Sequence, residues 1–259
     1  MSTLKSISTE APADWDKKKI EKATDKLLDQ IYEYGKKIVA GKQKSILLVL
    51  QGMDASGKDG LTRTLFQKLS PAWVTVHSFK KPSELEAAHD FLWRIHQRVP
   101  EKGMITVFNR SHYEDILVPS VYKYIDSDTI EKRYDLINDF ETMLEANGTK
   151  VIKMYLHLSK EKQEIKLMER INTLEKHWKH SDGDWETRKY WDEFMEVYES
   201  ILTKCNTIPW HIVPCDKNWV KLYAAATILV ETMAAMNLEY PALESEQFKP
   251  DYGKGKISY

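Results

Sequence analysis

Ser45-Ile46-Leu47-Leu48-Val49-Leu50-Gln51-Gly52-Met53-Asp54-Ala55-Ser56-Gly57-Lys58-Asp59-Gly60 is the stretch on which the fold turns. Its first half is an unbroken apolar run, as expected of a strand buried on both faces of a parallel sheet. Its second half has the spacing G-x-x-x-x-G-K, and a helical pattern over residues 61–69 follows, ending before Pro71. A buried strand, a glycine-rich turn and a helix, in that order, form the context a phosphate-binding loop requires. Gly52, Gly57 and Gly60 let backbone N–H groups converge around Ala55 and Ser56, and the helix N-terminus adds partial positive charge. Lys58 adds a full charge for a phosphoryl group. Two acids interrupt this pattern. Asp54 lies inside the loop, and Asp59 stands where a Ser or Thr usually follows the lysine. Both make sense at a phosphate site if they hold Mg²⁺. Capping of the following helix is an equal alternative for Asp59.

Outward from the loop, strands and helices alternate. Upstream, Ile20, Ala23, Leu27, Ile31, Tyr34 and Ile38 recur at steps of three and four, marking a long helix that starts near Asp14 and that Gly41 ends. Downstream, strands are expected over 74–79, 104–108, 151–158 and 209–213. Helices are expected over 83–98, opened by a Ser83/Glu86 capping box, then around Ile130 to Leu144, and over 159–171, 185–202 and 219–236. The class is therefore α/β with a parallel sheet and right-handed crossovers. The expected division is a flexible N-terminus over 1–13, one domain over 14–240 with a lid at about 160–190, and a tail over 241–259.

Composition bounds the function classes. The 259 residues carry 38 Lys+Arg against 39 Asp+Glu, so the whole-chain basicity of a nucleic-acid binder is missing. A local basic channel remains open. Two cysteines, Cys205 and Cys215, are too few for a disulfide framework and suit a reducing cytoplasm. No apolar run approaches the ~20 residues that span a bilayer, and the first twelve residues lack the apolar core of a secretory signal.

Two further segments carry candidate chemistry. At the third strand's end stand Asn109 and Arg110, on the carboxyl edge where open α/β sheets bind ligands. Asn109 fills the place of a metal-assisting carboxylate. Arg110 can clamp phosphate through its fork, with a structural ion pair as the alternative. Glu114 and Asp115 follow, and metal linkage, nucleotide contact and simple ion pairing are all open to them. Over 160–189, eight bases meet seven acids. Lys162, Lys166 and Arg170 are four apart and share a helix face, with Lys176, Lys179 and Arg188 beyond. Such a stripe suits a lid closing over a polyanion, and a solvated face laced with ion pairs is the equal alternative. His177 and His180 lack a third metal ligand.

The loop sequence Leu50–Gly60, together with Ser78-Phe79-Lys80-Lys81-Pro82-Ser83, His89–His96, Phe108-Asn109-Arg110-Ser111-His112-Tyr113-Glu114-Asp115, Lys176-His177-Trp178-Lys179 and Pro209–Pro214, resembles the polyphosphate kinase 2 family, and the 108–115 form resembles its class III branch. The resemblance implies a P-loop kinase-like three-layer sandwich: a parallel five-stranded sheet with helices on both faces and a helical lid. It implies Mg²⁺-dependent, reversible phosphoryl transfer from inorganic polyphosphate to AMP and ADP, with Mn²⁺ as the alternative metal. Guanine is the alternative base to adenine, and a dimer or tetramer is the implied assembly. Nucleic acid and membrane are not expected partners. Asp54, Lys58 and Arg110 are then the catalytic candidates, with Asp54 and Asp59 on the metal. Lys80, Lys81, Asn109 and Glu114 join the loop at the nucleotide and its phosphates. Lys166, Arg170, Lys176, Lys179 and Arg188 line the polyphosphate channel. The rival readings are an ATP-dependent nucleoside monophosphate kinase and a non-catalytic polyphosphate or nucleotide sensor.

Overall fold

Every residue of β1 (Ser45–Gln51) is buried, and its side chains alternate between the two faces of the sheet. In this computed structural model, which describes residues 4–245, Ile46, Leu48 and Leu50 enter one hydrophobic core and Leu47 and Val49 the other. Successive side chains of a strand point to opposite faces, so a continuous apolar run needs two covered faces. Helix α1 (Lys17–Gly41) precedes β1, and α2 (Lys58–Leu65) follows its turn. Then come β2 (Val74–Ser78), the short helices α3 (Glu84–Ala87) and α4 (Trp93–His96), β3 (Ile105–Asn109), α5 (Glu114–Tyr122) and α6 (Ser127–Ala146). The chain continues through β4 (Thr149–His157), α7 (Lys160–Asn172), a 3₁₀ turn (Leu174–Lys179), α8 (Asp182–Lys189), α9 (Trp191–Lys204), β5 (Trp210–Pro214) and α10 (Asn218–Ala235).

The five strands are all parallel, in the order β2-β3-β1-β4-β5. One face packs α1, α2 and α10 through residues such as Leu28, Ile31, Leu61 and Leu229. The other packs α5, α6 and α9 through Ile116, Ile137, Phe140 and Tyr198. The expected three-layer architecture is thus observed. Because β3 and β4 flank β1 and their connections leave on opposite sides, the carboxyl end of β1 is a topological switch point. The register sets Leu50 beside Asn109, and Arg110 N donates to Leu50 O at 3.1 Å. Asn109 and Arg110 are thereby fixed beside the loop that leaves β1.

Four expectations are corrected. The helix expected over 185–202 is two, α8 and α9, parted at Tyr190. The segment over 83–98 is two helices rather than one: Asp90 turns its carboxylate onto Leu92 N at 3.0 Å and starts a new turn. A Pro-containing helix, α5, stands where no helix was expected. The described part of the N-terminus is tied down rather than loose. Leu4 is buried and its N–H donates to Glu199, Thr9 Oγ1 donates to Asp216, and Ile7 O meets His157 Nε2. Residues 1–3 and 246–259, which include most of the expected tail, lie outside the described residues. Among the described residues, no helix is long and apolar enough to cross a membrane.

Candidate active site

The loop after β1 takes its shape from backbone that few side chains tolerate. Gly52 (φ 145°) and Gly57 (φ 87°) lie at positive φ, and so does Ala55 (φ 63°). A Cβ at Gly52 would lie 2.7 Å from Leu156 O, so the loop also passes too close to β4 for any other residue. A non-glycine residue in the left-handed region costs of order 1 kcal/mol or more and persists where its surroundings over-determine it. Arg110 has the same strain (φ 62°). Ala55, in the loop after β1, and Arg110, just past the end of β3, thus bring strained backbone to one place.

The Lys58 ammonium is buried under the loop and donates to Gly52 O at 2.7 Å and Met53 O at 3.3 Å. Burial lowers its pKa, and the nearby Arg110 charge lowers it further. Arg110 Nη2 donates to Asp54 Oδ1 at 2.5 Å. Asp59 does not cap α2: Gly57 is the N-cap and offers no side chain. Asp59 lies in the first turn instead, where the helix dipole favours an anion, and its carboxylate accepts from Asn109 Nδ2. Glu114 lies behind this group in the first turn of α5, and burial raises its pKa even beside Arg110 and Lys58.

A cavity of about 1010 Å³ opens over the loop. Asp54, Ala55, Gly57, Lys58, Asp59 and Gly60 form its floor. Lys80, Asn109 and Arg110 form the wall at the β2 and β3 ends. Lys166, Arg170, Lys176 and Lys179 stand on the facing wall with Trp178 and Asp184. The expected residues that stay off the cavity wall are Gly52, Ser56, Lys81, Glu114 and Arg188. Arg188 has a definite other place. It donates to Lys160 O at 2.7 Å, to Gln163 Oε1 at 2.9 Å and to Glu164 Oε2 at 2.6 Å. Gln163 is fully buried and its amide donates to Asp54 O at 3.0 Å. Arg188 therefore braces α8 on α7 and, through Gln163, on the loop.

The other lid bases differ in how far they are committed. Arg170 pairs with Asp184 and donates to Lys179 O at 3.1 Å, holding α7, the 3₁₀ turn and α8 together. Asp184 has a raised pKa, first from burial and next from the charge of Asp54. Lys176 makes an exposed pair with Glu169 at 2.8 Å. Lys179 lies over the Trp178 ring at 4.9 Å. His177 and His180 bond Ile171 O and Asp182, and no cluster of three or more His, Cys, Asp or Glu suited to a metal occurs among the described residues.

Sequence reasoning missed two groups. One is Lys221 on α10, which donates to two loop carbonyls and lines the same cavity. The other is a buried network under the segment that follows Arg110. Lys153 Nζ donates to Glu141 Oε2 at 2.6 Å, to Tyr113 Oη at 3.0 Å and to Cys205 O at 2.8 Å, so all three ammonium protons are used. Glu141 Oε1 accepts from Tyr113 Oη at 2.7 Å and meets His112 Nε2 at 3.2 Å. Ser111, His112, Lys153 and Glu141 are fully buried. A readable signal existed: Lys153 lies two residues from both Val151 and Tyr155, on the core face of its strand, and Glu141 sits between Ile137 and Leu144 at helical spacing.

Comparison with known proteins agrees with this geometry. The family model described as Polyphosphate kinase 2 (PPK2) matches residues 14–241. An AMP/ADP-polyphosphate phosphotransferase of Meiothermus ruber is 41% identical over 232 residues, 89% of this chain and 84% of that protein. An ADP-polyphosphate phosphotransferase of Rhodopseudomonas palustris is 39% identical over 218 residues, 79% of this chain and 75% of that protein. The crystal structure of polyphosphate kinase 2 from Arthrobacter aurescens TC1 superposes with a TM-score of 0.91 at 34% identity, covering 95% of this chain and 89% of that one.

Proposed function

Since the chain belongs to the polyphosphate kinase 2 family, we propose that it transfers a phosphoryl group from inorganic polyphosphate to ADP and AMP, giving ATP and ADP. The observation that carries this reading is one cavity with a phosphate loop on its floor and a basic lid opposite. A terminal oxygen of the acceptor nucleotide's phosphate attacks the terminal phosphorus of the chain. The anhydride bond to the penultimate phosphate breaks, and the shortened polyphosphate leaves. The acceptor oxygen is already anionic, so positioning and charge neutralisation dominate over proton transfer. Both sides are phosphoanhydrides, which makes the reaction reversible.

In this reading Lys58 and the loop amides hold the phosphates at the reacting centre. Arg110 is aimed there by its left-handed backbone and stabilises charge on the transferred group. Lys80 meets phosphate from the β2 end, where Arg94 holds its carbonyl at 2.8 Å. Lys166, Arg170, Lys176 and Lys179 guide the polyphosphate. Glu114 and Asn109 set the charge and position of Arg110 and Asp59.

The donor set suits a hard divalent cation. Asp54 and Asp59 bring carboxylates to one cavity floor, and Mg²⁺ is commonly held by one or two carboxylates, waters and substrate phosphates rather than by an all-protein cage. Asp54 would hold it, with Asp59 beside, and Mn²⁺ is the alternative ion. Bound there, the cation neutralises charge on the reacting phosphates. The same reading takes adenine nucleotides, with guanine as the alternative base, and makes the enzyme a cytoplasmic dimer or tetramer.

Mixing the protein with ADP, long-chain polyphosphate and Mg²⁺ should produce ATP, and repeating this with AMP should produce ADP. Absence of product with either acceptor at any Mg²⁺ concentration overturns the reading. Binding of both ligands without turnover would then assign a sensor, and turnover only with ATP as donor a nucleoside monophosphate kinase.

A further inference from the structure

Lys221 sits three residues into α10 among apolar neighbours, and it is 3% exposed. Its Nζ donates to Ser56 O at 3.0 Å and to Gly57 O at 3.3 Å. It packs so closely that a Cβ on Gly57 would lie 2.3 Å from Nζ. Gly57 is required for its positive φ, and a Cβ there would push this ammonium off its carbonyls. No carboxylate pairs with Lys221 among the described residues, and its charged neighbours include Lys58 and Lys166. Three ammonium groups gathered at one loop, with no acid matched to Lys221, form a site organised for an anion.

The geometry of the peptide unit gives Lys221 a specific task. In a trans peptide the C=O and the following N–H point in opposite directions. Holding Ser56 O and Gly57 O turns the Gly57 and Lys58 N–H groups away from the Lys221 ammonium; Gly57 O also accepts from Leu61 N at 2.9 Å as the first bond of α2, and Gly57, Lys58 and Lys221 all line the cavity. Those two amides belong to the nest that meets phosphate. We propose that Lys221 is a positioning residue of this enzyme, which fixes the Ser56–Gly57–Lys58 peptides so that two loop amides and the Lys58 ammonium face one phosphate group. It acts through the loop carbonyls it holds. Lys58 acts from within the loop, donating to the Gly52 and Met53 carbonyls.

This assignment rests on the reading that the loop binds phosphate, and the test separates the two. The probe is inorganic tripolyphosphate with Mg²⁺, and the readouts are calorimetric affinity and hydrogen exchange of the peptide spanning residues 52–60. Wild-type protein should bind the probe and show slowed exchange in that peptide; if it does neither, the proposed function falls along with the role of Lys221. Lys221→Met keeps the apolar stem and removes the donors. It should weaken tripolyphosphate binding about tenfold or more, speed exchange of the loop peptide without ligand, and abolish most of its protection by ligand. Exchange in β1 and α1 should stay as in wild type. Wild-type affinity and wild-type loop protection in Lys221→Met overturn the positioning role while leaving the proposed function intact. A general rise in exchange across β1 and α1, with loop protection by ligand retained, also overturns it, because the lysine would then be only a structural group. If Lys221→Met does not fold, Lys221→Gln, which is too short to reach both carbonyls, is held to the same outcomes.

Discussion

Lys166 gives polyphosphate binding and folding stability opposite responses to pH. Burial, and next the charge of Lys221, lower its pKa from 10.5 to about 8. Below that value it is charged and attracts polyphosphate. As pH rises past it, the charge and its attraction are lost. The apparent KM for polyphosphate should therefore rise on the alkaline side of about pH 8, and Lys166→Arg should shift that limb upward because a guanidinium stays charged. Stability runs the other way. A lysine whose folded pKa is below its unfolded value opposes folding while both states are charged, and this opposition disappears between about 8 and 10.5. Thermal midpoints that rise over this window while polyphosphate affinity falls would show both effects, and parallel changes would contradict the assignment. Asp54 offers a simpler test. Asp54→Asn should lower turnover by roughly two orders of magnitude or more with little change in the melting temperature, and near-normal turnover would remove Asp54 from the mechanism.

Glu141 separates a structural charge from a catalytic one. Burial works to raise its pKa, but the His112 hydrogen bond and the Lys153 charge overcome it and hold it low. Glu141→Ala strands the Lys153 ammonium in the core and should cost about 3–5 kcal/mol, read from urea unfolding; a loss under 1 kcal/mol would mean that water or another group replaces the carboxylate.

At the scale of elements, the lid is one braced unit. Arg170 ties α7 to the 3₁₀ turn and α8, Arg188 ties α8 back to α7, and Gln163 continues that tie to Asp54 O. At the other end, Asp216 accepts from Ser159 N and Oγ at the start of α7 and from Thr9. Arg188→Ala should thus lower kcat and stability without a selective rise in the polyphosphate KM. Lys176→Ala with Lys179→Ala, which removes two cavity bases, should raise the polyphosphate KM more than the nucleotide KM. The reverse pattern would exchange their roles. These braces were not legible in the sequence, because a stripe of bases reads alike whether it faces ligand or carbonyl groups. The elements themselves were legible where burial was extreme. The strands β1, β3 and β4 are almost wholly buried and stood out as apolar runs. The break after Ala87 was hidden because His89 and Asp90 suit a helix face as well as a turn. Helix α5 was hidden by Pro119 and a weakly amphipathic sequence. Lys221 carries no signal in the sequence, because its partners are main-chain carbonyls 164 and 165 residues away.

Across the whole molecule, charge is separated without any net excess: 38 bases balance 39 acids, yet the lysines at the loop and lid converge on one cavity. Many acids lie on outer faces, as where Glu131 pairs with Lys204 at 2.6 Å and Glu186 with Lys189 at 2.7 Å. Beyond about 10 Å at 0.1 M salt such a surface looks nearly neutral, because opposite charges are close and screened. Polyphosphate enters the cavity, where nine bases outnumber six acids on the wall and attraction is focused. Duplex DNA carries dense phosphate charge too, but its width keeps it on the outer surface. The prediction is discrimination between two polyanions. At equal phosphate concentration and low salt, duplex DNA should leave the polyphosphate KM nearly unchanged, whereas tripolyphosphate should compete. Raising salt from 0.05 to about 0.5 M shortens the screening length several-fold and should raise the KM for long polyphosphate more than that for ADP, since the longer ligand meets more of the lid. Strong inhibition by DNA would mean that Lys176, half-buried, and Lys179, exposed, act as an open basic patch rather than as the rim of a closed channel.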